Sequence, residues 1–192
     1  MSYYFVIVGT QDNPLFEYEF GTSKQGGDGF AHFAEQTKHL NQFILHASLD
    51  IVEEVQWTNS QMYLKVVDKF FNSYVSCFMT GGNVKFLLLH QPPSSIGGLG
   101  AAGTVASATT AGAGGAAGSG IAGLASATAT RSSTSIGANP TSPQTEEAVK
   151  NFFLEVYENY VKAIMSPFYK VNMEIRSPVF RSRVAAAGRK YL

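Results

Sequence analysis

Two side chains in the first half of the chain have the spacing of a catalytic base and the carboxylate that orients it. His46 and Asp50 are four residues apart, which places them one turn apart on one side of a helix. Such a pair needs a nucleophile, and the candidates Ser73, Ser76 and Cys77 come from another segment that has no nucleophile-elbow motif. The sequence therefore favours a polar pair on a helix edge, with a hydrolase as the alternative.

Ligand sets for metal ions and phosphates are weaker still. His39 and His46 are seven residues apart, whereas zinc-binding histidines on one helix are usually four apart, and Cys77 has no second cysteine beside it. The glycine-rich stretch after residue 93 lacks the Gly-Lys-Ser/Thr ending of a phosphate-binding loop. We therefore predict no catalytic, cofactor-binding or metal-binding residues.

The overall composition argues against several classes of protein. The formal net charge is +0 and charged residues make up 15% of the chain, so there is no overall basic field for nucleic acid or an anionic membrane. A single cysteine, Cys77, excludes an internal disulfide and fits a reducing compartment. We find neither a signal peptide nor the roughly 20 apolar residues of a membrane-spanning helix. The sequence predicts a soluble, cytoplasmic protein.

The residues of the possible base–carboxylate pair belong to a predicted helix over Lys38–Trp57. Its apolar residues form two stripes. The longer stripe, which we assign to the core, comprises Leu40, Phe43, Ile44, Ala47, Ile51 and Val55. The shorter stripe comprises Leu45, Leu49 and Val52, and a polar edge of His39, His46, Asp50 and Glu53 runs between the two.

A helix that is apolar on two sides must be covered on two sides. We therefore predict that the shorter stripe contacts a partner chain and that polar residues set the orientation at its rim. The predicted partner-binding residues are Asp50, Leu45, Leu49, Val52, His46 and Glu53. The alternative is that the loop Gly21–Gln36 covers the stripe through Phe30 and Phe33.

Five β-strands and two further helices are predicted around this helix. The strands are Tyr3–Val8, Leu15–Phe20, Gln61–Phe70, Ser73–Thr80 and Asn83–His90. The helices start after Ser142-Pro143 and Ser177-Pro178, where a serine N-cap precedes proline at the first helical position.

The inner strands are apolar on both faces, so the sheet needs a helical layer on each side. We predict an α/β (α+β) fold, an α/β/α sandwich with a five-stranded, mainly antiparallel sheet. The element order is β-β-α-β-β-β-α-α, with the first helix on one face and the last two on the other.

Residues 92–140 interrupt this pattern with glycine, alanine, serine and threonine and scarcely a large side chain. Such a segment buries too little apolar surface to offset its backbone entropy, so we predict a disordered insertion. The entropy of closing a loop grows slowly with its length. We therefore expect residues 1–91 and 141–192 to form a single domain around it.

Short segments along the whole chain share the pattern of one protein family. They are YYFVIVG and DNPLFEYEF near the start, HLNQFILHASLD, MYLKVVDKF, NFFLEVYENY with SPFY after it, and IRSPVF. Together they resemble the sedlin family, the small longin-fold subunits of the TRAPP vesicle-tethering complex. Compact members of that family lack an insertion at 92–140.

The resemblance implies an adaptor without catalytic residues that links the TRAPP core to larger subunits. TRAPP tethers vesicles in ER-to-Golgi and Golgi traffic and promotes guanine-nucleotide exchange on a Rab GTPase. The implied partners are other TRAPP subunits and, indirectly, the Rab; the implied location is cytoplasmic, peripheral at ER–Golgi intermediates and the Golgi. Asp50, in the sequence HASLD, matches the family's functionally sensitive helix aspartate and is the implied partner contact. The alternative is a longin-type regulatory domain of a coat or SNARE.

Overall fold

The computed structural model describes residues 1–22, 27–33, 35–92 and 141–192. The elements are β1 (Ser2–Val8), β2 (Pro14–Gly21), α1 (Glu35–Val55), β3 (Tyr63–Phe70), β4 (Ser73–Met79), β5 (Lys85–Gln91), α2 (Pro143–Ile164) and α3 (Pro178–Tyr191). Their order is the predicted one, with ends shifted by a few residues. Apart from its first residue, the predicted insertion 92–140 lies outside the described residues and stays a prediction.

The five strands form one sheet in the order β2-β1-β5-β4-β3, and all four pairings are antiparallel. β1 is an inner strand, with Phe5 opposite Tyr18 of β2 and Leu88 of β5. All seven residues of β1 are buried. These strands are covered on both faces, which confirms the predicted α+β sandwich.

The face under α2 and α3 is packed with aromatic rings. Phe5 meets Phe152 of α2 edge-to-face, with ring centroids 5.4 Å apart. Phe16 of β2 meets Phe180 of α3 in the same way at 4.9 Å. Both helices begin as predicted, because the Ser142 and Ser177 side chains accept hydrogen bonds from backbone N–H groups of the first turn.

The opposite face, under α1, is mainly aliphatic. Residues of β1, β4 and β5 pack there against one side of α1. The buried side chains of α1 in this core are Ile44, Leu45, Leu49 and Val52. Within the described ranges, none of the three helices is long and apolar enough to cross a bilayer.

The structure buries the whole shorter stripe of α1 but only Ile44 of the longer one, with Leu40 and Val55 at the edge of the core. Leu45, Leu49 and Val52, predicted to contact a partner, are buried against the sheet of their own chain. Phe43 and Ala47, predicted to lie in the core, are exposed. The prediction that the shorter stripe needs external cover is therefore wrong.

The alternative cover for that stripe was the loop before α1, and it contributes little. Phe33 packs at the edge of the core, whereas Phe30 is exposed. The cover comes from the sheet.

Two polar residues on the buried side of α1 explain why the apolar pattern did not predict which side is buried. Asn41 and Ser48 lie on that side at helical spacing with the buried apolar residues, and both are buried. The Ser48 hydroxyl donates a hydrogen bond to the Leu45 carbonyl at 2.8 Å, which satisfies it inside the core. A polar residue paired in this way interrupts the apolar pattern without interrupting the packing.

Candidate partner-binding site

The outer face of α1 carries exposed aromatic side chains on both sides of a carboxylate. Phe43, Ala47, Asp50, Glu54 and Trp57 recur at steps of four and three, so they share one side of the helix. Phe43 is 64% exposed and Trp57 is 85% exposed. We call these five residues the α1 outer face.

Trp57 lies two residues beyond the end of α1, and turn hydrogen bonds continue the helical path past it. The Gln56 N–H donates to the Val52 carbonyl at 3.0 Å, and the Thr58 N–H donates to the Val55 carbonyl at 3.1 Å. The backbone at Trp57 is therefore held at the end of the helix, and its indole is exposed.

The polar pair that could have been a base and its orienting carboxylate is not assembled. His46 and Asp50 are both exposed, and neither makes a hydrogen bond or ion pair with the described residues. An unpaired surface carboxylate keeps its capacity to accept hydrogen bonds from another molecule. Asp50 is thus available for contact at the middle of the α1 outer face.

Glu53, the third polar residue predicted for the site, takes part in an internal network. The Lys85 ammonium, 1% exposed at the start of β5, lies 3.0 Å from Asp12 Oδ1 and 3.7 Å from Glu53 Oε1. A buried cation is costly unless it is paired, and these two carboxylates supply the pairing. The network joins α1, β5 and the β1–β2 turn.

A groove of about 220 Å³ lies between α1 and the β1–β2 hairpin. Its lining includes Leu45 and Leu49, so two of the predicted partner contacts border it although they are nearly covered. Glu17 stands at its rim and accepts hydrogen bonds from the Tyr4 hydroxyl at 3.0 Å and the Gln42 amide at 3.1 Å. His46 also lines the groove, which places the groove beside the α1 outer face.

The possible nucleophiles Ser73, Ser76 and Cys77 are all buried, whereas His46 is exposed. Ser76 Oγ is 3.2 Å from His90 Nε2, in a buried pair where His90 stacks on Tyr3 of the α2–α3 core. Cys77 points to the other face, and burial raises the pKa of its thiol to about 12, so it stays protonated. Among the residues that the structure describes, none completes a hydrolytic triad with His46.

The serine–histidine pair is itself enclosed. His90 is fully buried, and burial lowers its pKa to about 4, which keeps the imidazole neutral near pH 7. A substrate has no approach to a pair that is covered from solvent. The arrangement satisfies one ring nitrogen of a core histidine.

Metal-binding groups do not converge in the described part of the chain. No three His, Cys, Asp or Glu side chains of these ranges are placed to hold an ion together.

Several residues of the site gave little signal in the sequence. Phe43 matched the periodicity of the longer stripe and was assigned to the core, and Trp57 stood at the end of the predicted helix without a role. Lys85 occupies a strand position next to apolar residues, where alternation predicts a half-exposed lysine. Lys85 begins a strand that is apolar on both faces, and this was the available hint that its cation would need buried partners.

Comparisons with known proteins point to one family. The family model described as sedlin matches residues 7–190. The chain is 32% identical over 192 residues to the transport protein particle 20 kDa subunit of Schizosaccharomyces pombe, covering 100% of both chains. It is 34% identical over 190 residues to the probable trafficking protein particle complex subunit 2 of Caenorhabditis elegans, covering 99% of this chain and 96% of that one. It is 30% identical to the trafficking protein particle complex subunit 20 of Saccharomyces cerevisiae, covering 100% of this chain and 99% of that one.

Proposed function

The chain belongs to the sedlin family, and on that premise we propose that it is a non-catalytic adaptor subunit of a TRAPP complex. The relatives are named as subunits of transport or trafficking protein particles, and their alignments span nearly the whole of each chain. In this proposal the protein links the TRAPP core to larger subunits. It serves vesicle tethering and Rab guanine-nucleotide exchange in ER-to-Golgi and Golgi traffic, at the cytoplasmic side of those membranes.

The observation that carries the adaptor role is the α1 outer face. Protein interfaces are anchored by a few large side chains, often aromatic, with charged groups near them that set orientation. Phe43 and Trp57 are such side chains, and they stay largely exposed in the isolated chain. Asp50, between them, has no partner among the described residues and is free to pair with a cation of a neighbouring subunit.

The predicted partner-binding set is revised accordingly. We propose that Asp50 and His46 contact the partner together with Phe43 and Trp57. Glu53 supports the site through its pairing with Lys85. Of the predicted apolar anchors, Leu45 and Leu49 border the neighbouring groove, whereas Val52 is fully buried and acts in the core.

The test is a native pull-down of the tagged full-length chain from its own cells, with subunits identified by mass spectrometry. We expect TRAPP subunits with the wild type and selective loss of one larger subunit with Asp50→Tyr, because a bulky ring replaces the unpaired carboxylate. Glu158→Tyr is the matched control, since Glu158 is an exposed carboxylate in α2. This control should retain every subunit.

Two results would count against the proposal. A wild-type chain that captures no TRAPP subunit would contradict the adaptor role itself. An Asp50→Tyr chain that retains every subunit would show that the α1 outer face does not bind the partner. Circular dichroism of both tyrosine variants should match the wild type, because neither substitution reaches the core.

A further inference from the structure

The zero net charge of this chain conceals a strong asymmetry. Residues 1–92 contain nine acidic and five basic side chains, whereas residues 159–192 contain one acidic and seven basic side chains. The basic segment comprises the end of α2, the α2–α3 loop and α3. With the rest of α2 included, residues 141–192 contain eight basic and five acidic side chains, so the excess of positive charge lies at the α2–α3 loop and in α3.

The α2–α3 loop presents apolar side chains to solvent. Met165, Phe168 and Val171 are 76%, 86% and 82% exposed. The loop contains two successive turns, closed by hydrogen bonds from the Tyr169 N–H to Ser166 O and from the Met173 N–H to Lys170 O, each at 3.0 Å. Phe168 and Val171 occupy central positions of these turns, where both are largely exposed. We call the three exposed residues the apolar tip.

The loop is braced against the sheet, so the tip is held outward. Asn172 has a left-handed backbone, with φ of 60°, and sits at the second turn. Its side-chain oxygen accepts a hydrogen bond from the Thr10 N–H at 3.0 Å, and its carbonyl accepts one from the Asn13 amide at 3.1 Å. The Ile175 N–H donates to Leu15 O at 2.8 Å. These bonds tie the loop to the β1–β2 hairpin while the apolar tip remains uncovered.

Cations flank the tip. Lys162 and Lys170 are exposed and have no hydrogen bond or ion pair with the described residues. Lys162 also lines a groove between α2 and α3 together with Arg183 and the exposed Val179. The one acidic side chain of the basic segment, Glu174, is occupied by Arg176 at 2.8 Å.

We propose that the α2–α3 loop contacts an anionic lipid bilayer directly. The apolar tip enters the interface between head groups and acyl chains, and Lys162 and Lys170 bind lipid phosphates beside it. Apolar and aromatic groups flanked by cations suit this interface, and a basic surface is attracted to an anionic leaflet. The tip side chains project from the surface, and a bilayer admits such groups without needing a pocket of matching shape.

This contact does not depend on the adaptor role. α1 packs on one face of the sheet, and α2 and α3 pack on the other. The protein can therefore bind a subunit and a membrane through separate surfaces.

Vesicle flotation of the full-length chain tests the proposal. We expect binding to vesicles of phosphatidylcholine with phosphatidylserine and little binding to phosphatidylcholine alone. Phe168→Ser should weaken binding about tenfold because an apolar side chain no longer inserts. The double charge reversal Lys162→Glu/Lys170→Glu should weaken it by at least about 25-fold, because each basic residue near the leaflet adds about fivefold in affinity.

Matched variants elsewhere on the surface serve as controls. Phe71→Ser alters a phenylalanine that is 83% exposed in the β3–β4 turn, and Lys38→Glu/Lys69→Glu makes the same change in net charge as the double reversal. Both should bind like the wild type. Equal loss in these controls would overturn the assignment to the α2–α3 loop.

A tryptophan reporter locates the contact. Trp57 is the sole tryptophan, so Phe168→Trp in a Trp57→Phe background places the only indole at the apolar tip. Its emission should shift to shorter wavelength on adding the anionic vesicles. No flotation with any vesicle, equal flotation with neutral vesicles, or an unshifted emission would each overturn the lipid contact. If Phe168→Ser releases a protein subunit and the wild type binds no vesicle, the loop is a protein interface and the proposal is wrong.

Discussion

The two faces of the sheet are covered in different ways. Two helices cover one face, and the core between them and the sheet is crowded with phenylalanine and tyrosine rings. One helix covers the other face, where the core is aliphatic and encloses polar side chains such as Lys85 and Ser48. The single helix leaves a groove open beside the β1–β2 hairpin.

This difference separates stability from recognition. Each aromatic side chain buries a large apolar area, so the α2–α3 face should supply the greater share of the folding free energy. The α1 face includes a buried cation whose partners reach the surface, and it leaves the groove and the α1 outer face available to a partner. Substitutions on the two faces should therefore differ in how much unfolding free energy they cost and in the physical cause of that cost.

The largest contrast is expected from shortening one core residue on each face. Phe152→Ala should lower the unfolding free energy by about 3–5 kcal/mol, because it removes a fully buried ring and leaves a cavity. Val52→Ala, on the α1 face, should lower it by about 2 kcal/mol since fewer buried atoms are lost. Urea denaturation of both variants measures the difference. A Val52→Ala loss as large as that of Phe152→Ala would contradict the comparison.

The next contrast concerns the buried cation of the α1 face. The double variant Asp12→Asn/Glu53→Gln leaves the Lys85 ammonium buried without a charged partner and should cost about 3 kcal/mol. Adding Lys85→Met should restore most of that loss, because an apolar side chain of similar length removes the unpaired charge. Thermal and urea unfolding of the wild type, the double variant and the triple variant form the measurement. If the triple variant is no more stable than the double one, the unpaired charge of Lys85 is not the cause of the loss. The network would then stabilise the fold through packing.

The smallest of the three effects is a pH dependence on the α2–α3 face. Burial lowers the pKa of His90 to about 4 from an ordinary 6.5, so the unfolded chain binds a proton more readily than the folded one. The neutral form of His90 therefore makes a contribution to the free energy of unfolding that is fully present above pH 6.5. This contribution is lost as the pH falls towards 4. Between pH 7 and pH 5 it should shrink by about 2 kcal/mol.

The control for this pH dependence is His90→Gln, which keeps a side-chain amide near Ser76 and removes the titrating group. Its unfolding free energy should fall less steeply than that of the wild type over the same pH range. Parallel curves for the two proteins would show that His90 does not contribute to the slope.

Much of the local structure follows from short-range patterns. Strand alternation and turn residues predicted all five strands, and Ser142-Pro143 and Ser177-Pro178 predicted two helix starts, because strand pleat and helix capping depend on neighbouring residues. The doubly apolar inner strands also predicted helical layers on both faces. The family resemblance, which rests on segments spread over the chain, agrees with the sedlin match over residues 7–190.

The candidate site depended on contacts that the local pattern does not contain. The periodicity of α1 showed two apolar stripes, but the rotation of the helix on the sheet decided which residues of each stripe were buried. That rotation placed Ser48 inside, with its hydroxyl satisfied, and placed Phe43 outside. A buried polar residue costs little once it is paired, so the best-packed orientation need not be the most regular apolar one.

The sequence by itself determined where strands and helices form and that both sheet faces must be covered, since these follow from the spacing of apolar residues along the chain. The tertiary structure alone decided that Lys85 meets Asp12 and Glu53, and that Asp50 lies exposed between Phe43 and Trp57. The first of these is a contact between residues far apart in sequence, and the second depends on which side of α1 faces outward. Both are set by packing over the whole sheet, where the free energies of many distant contacts are balanced together.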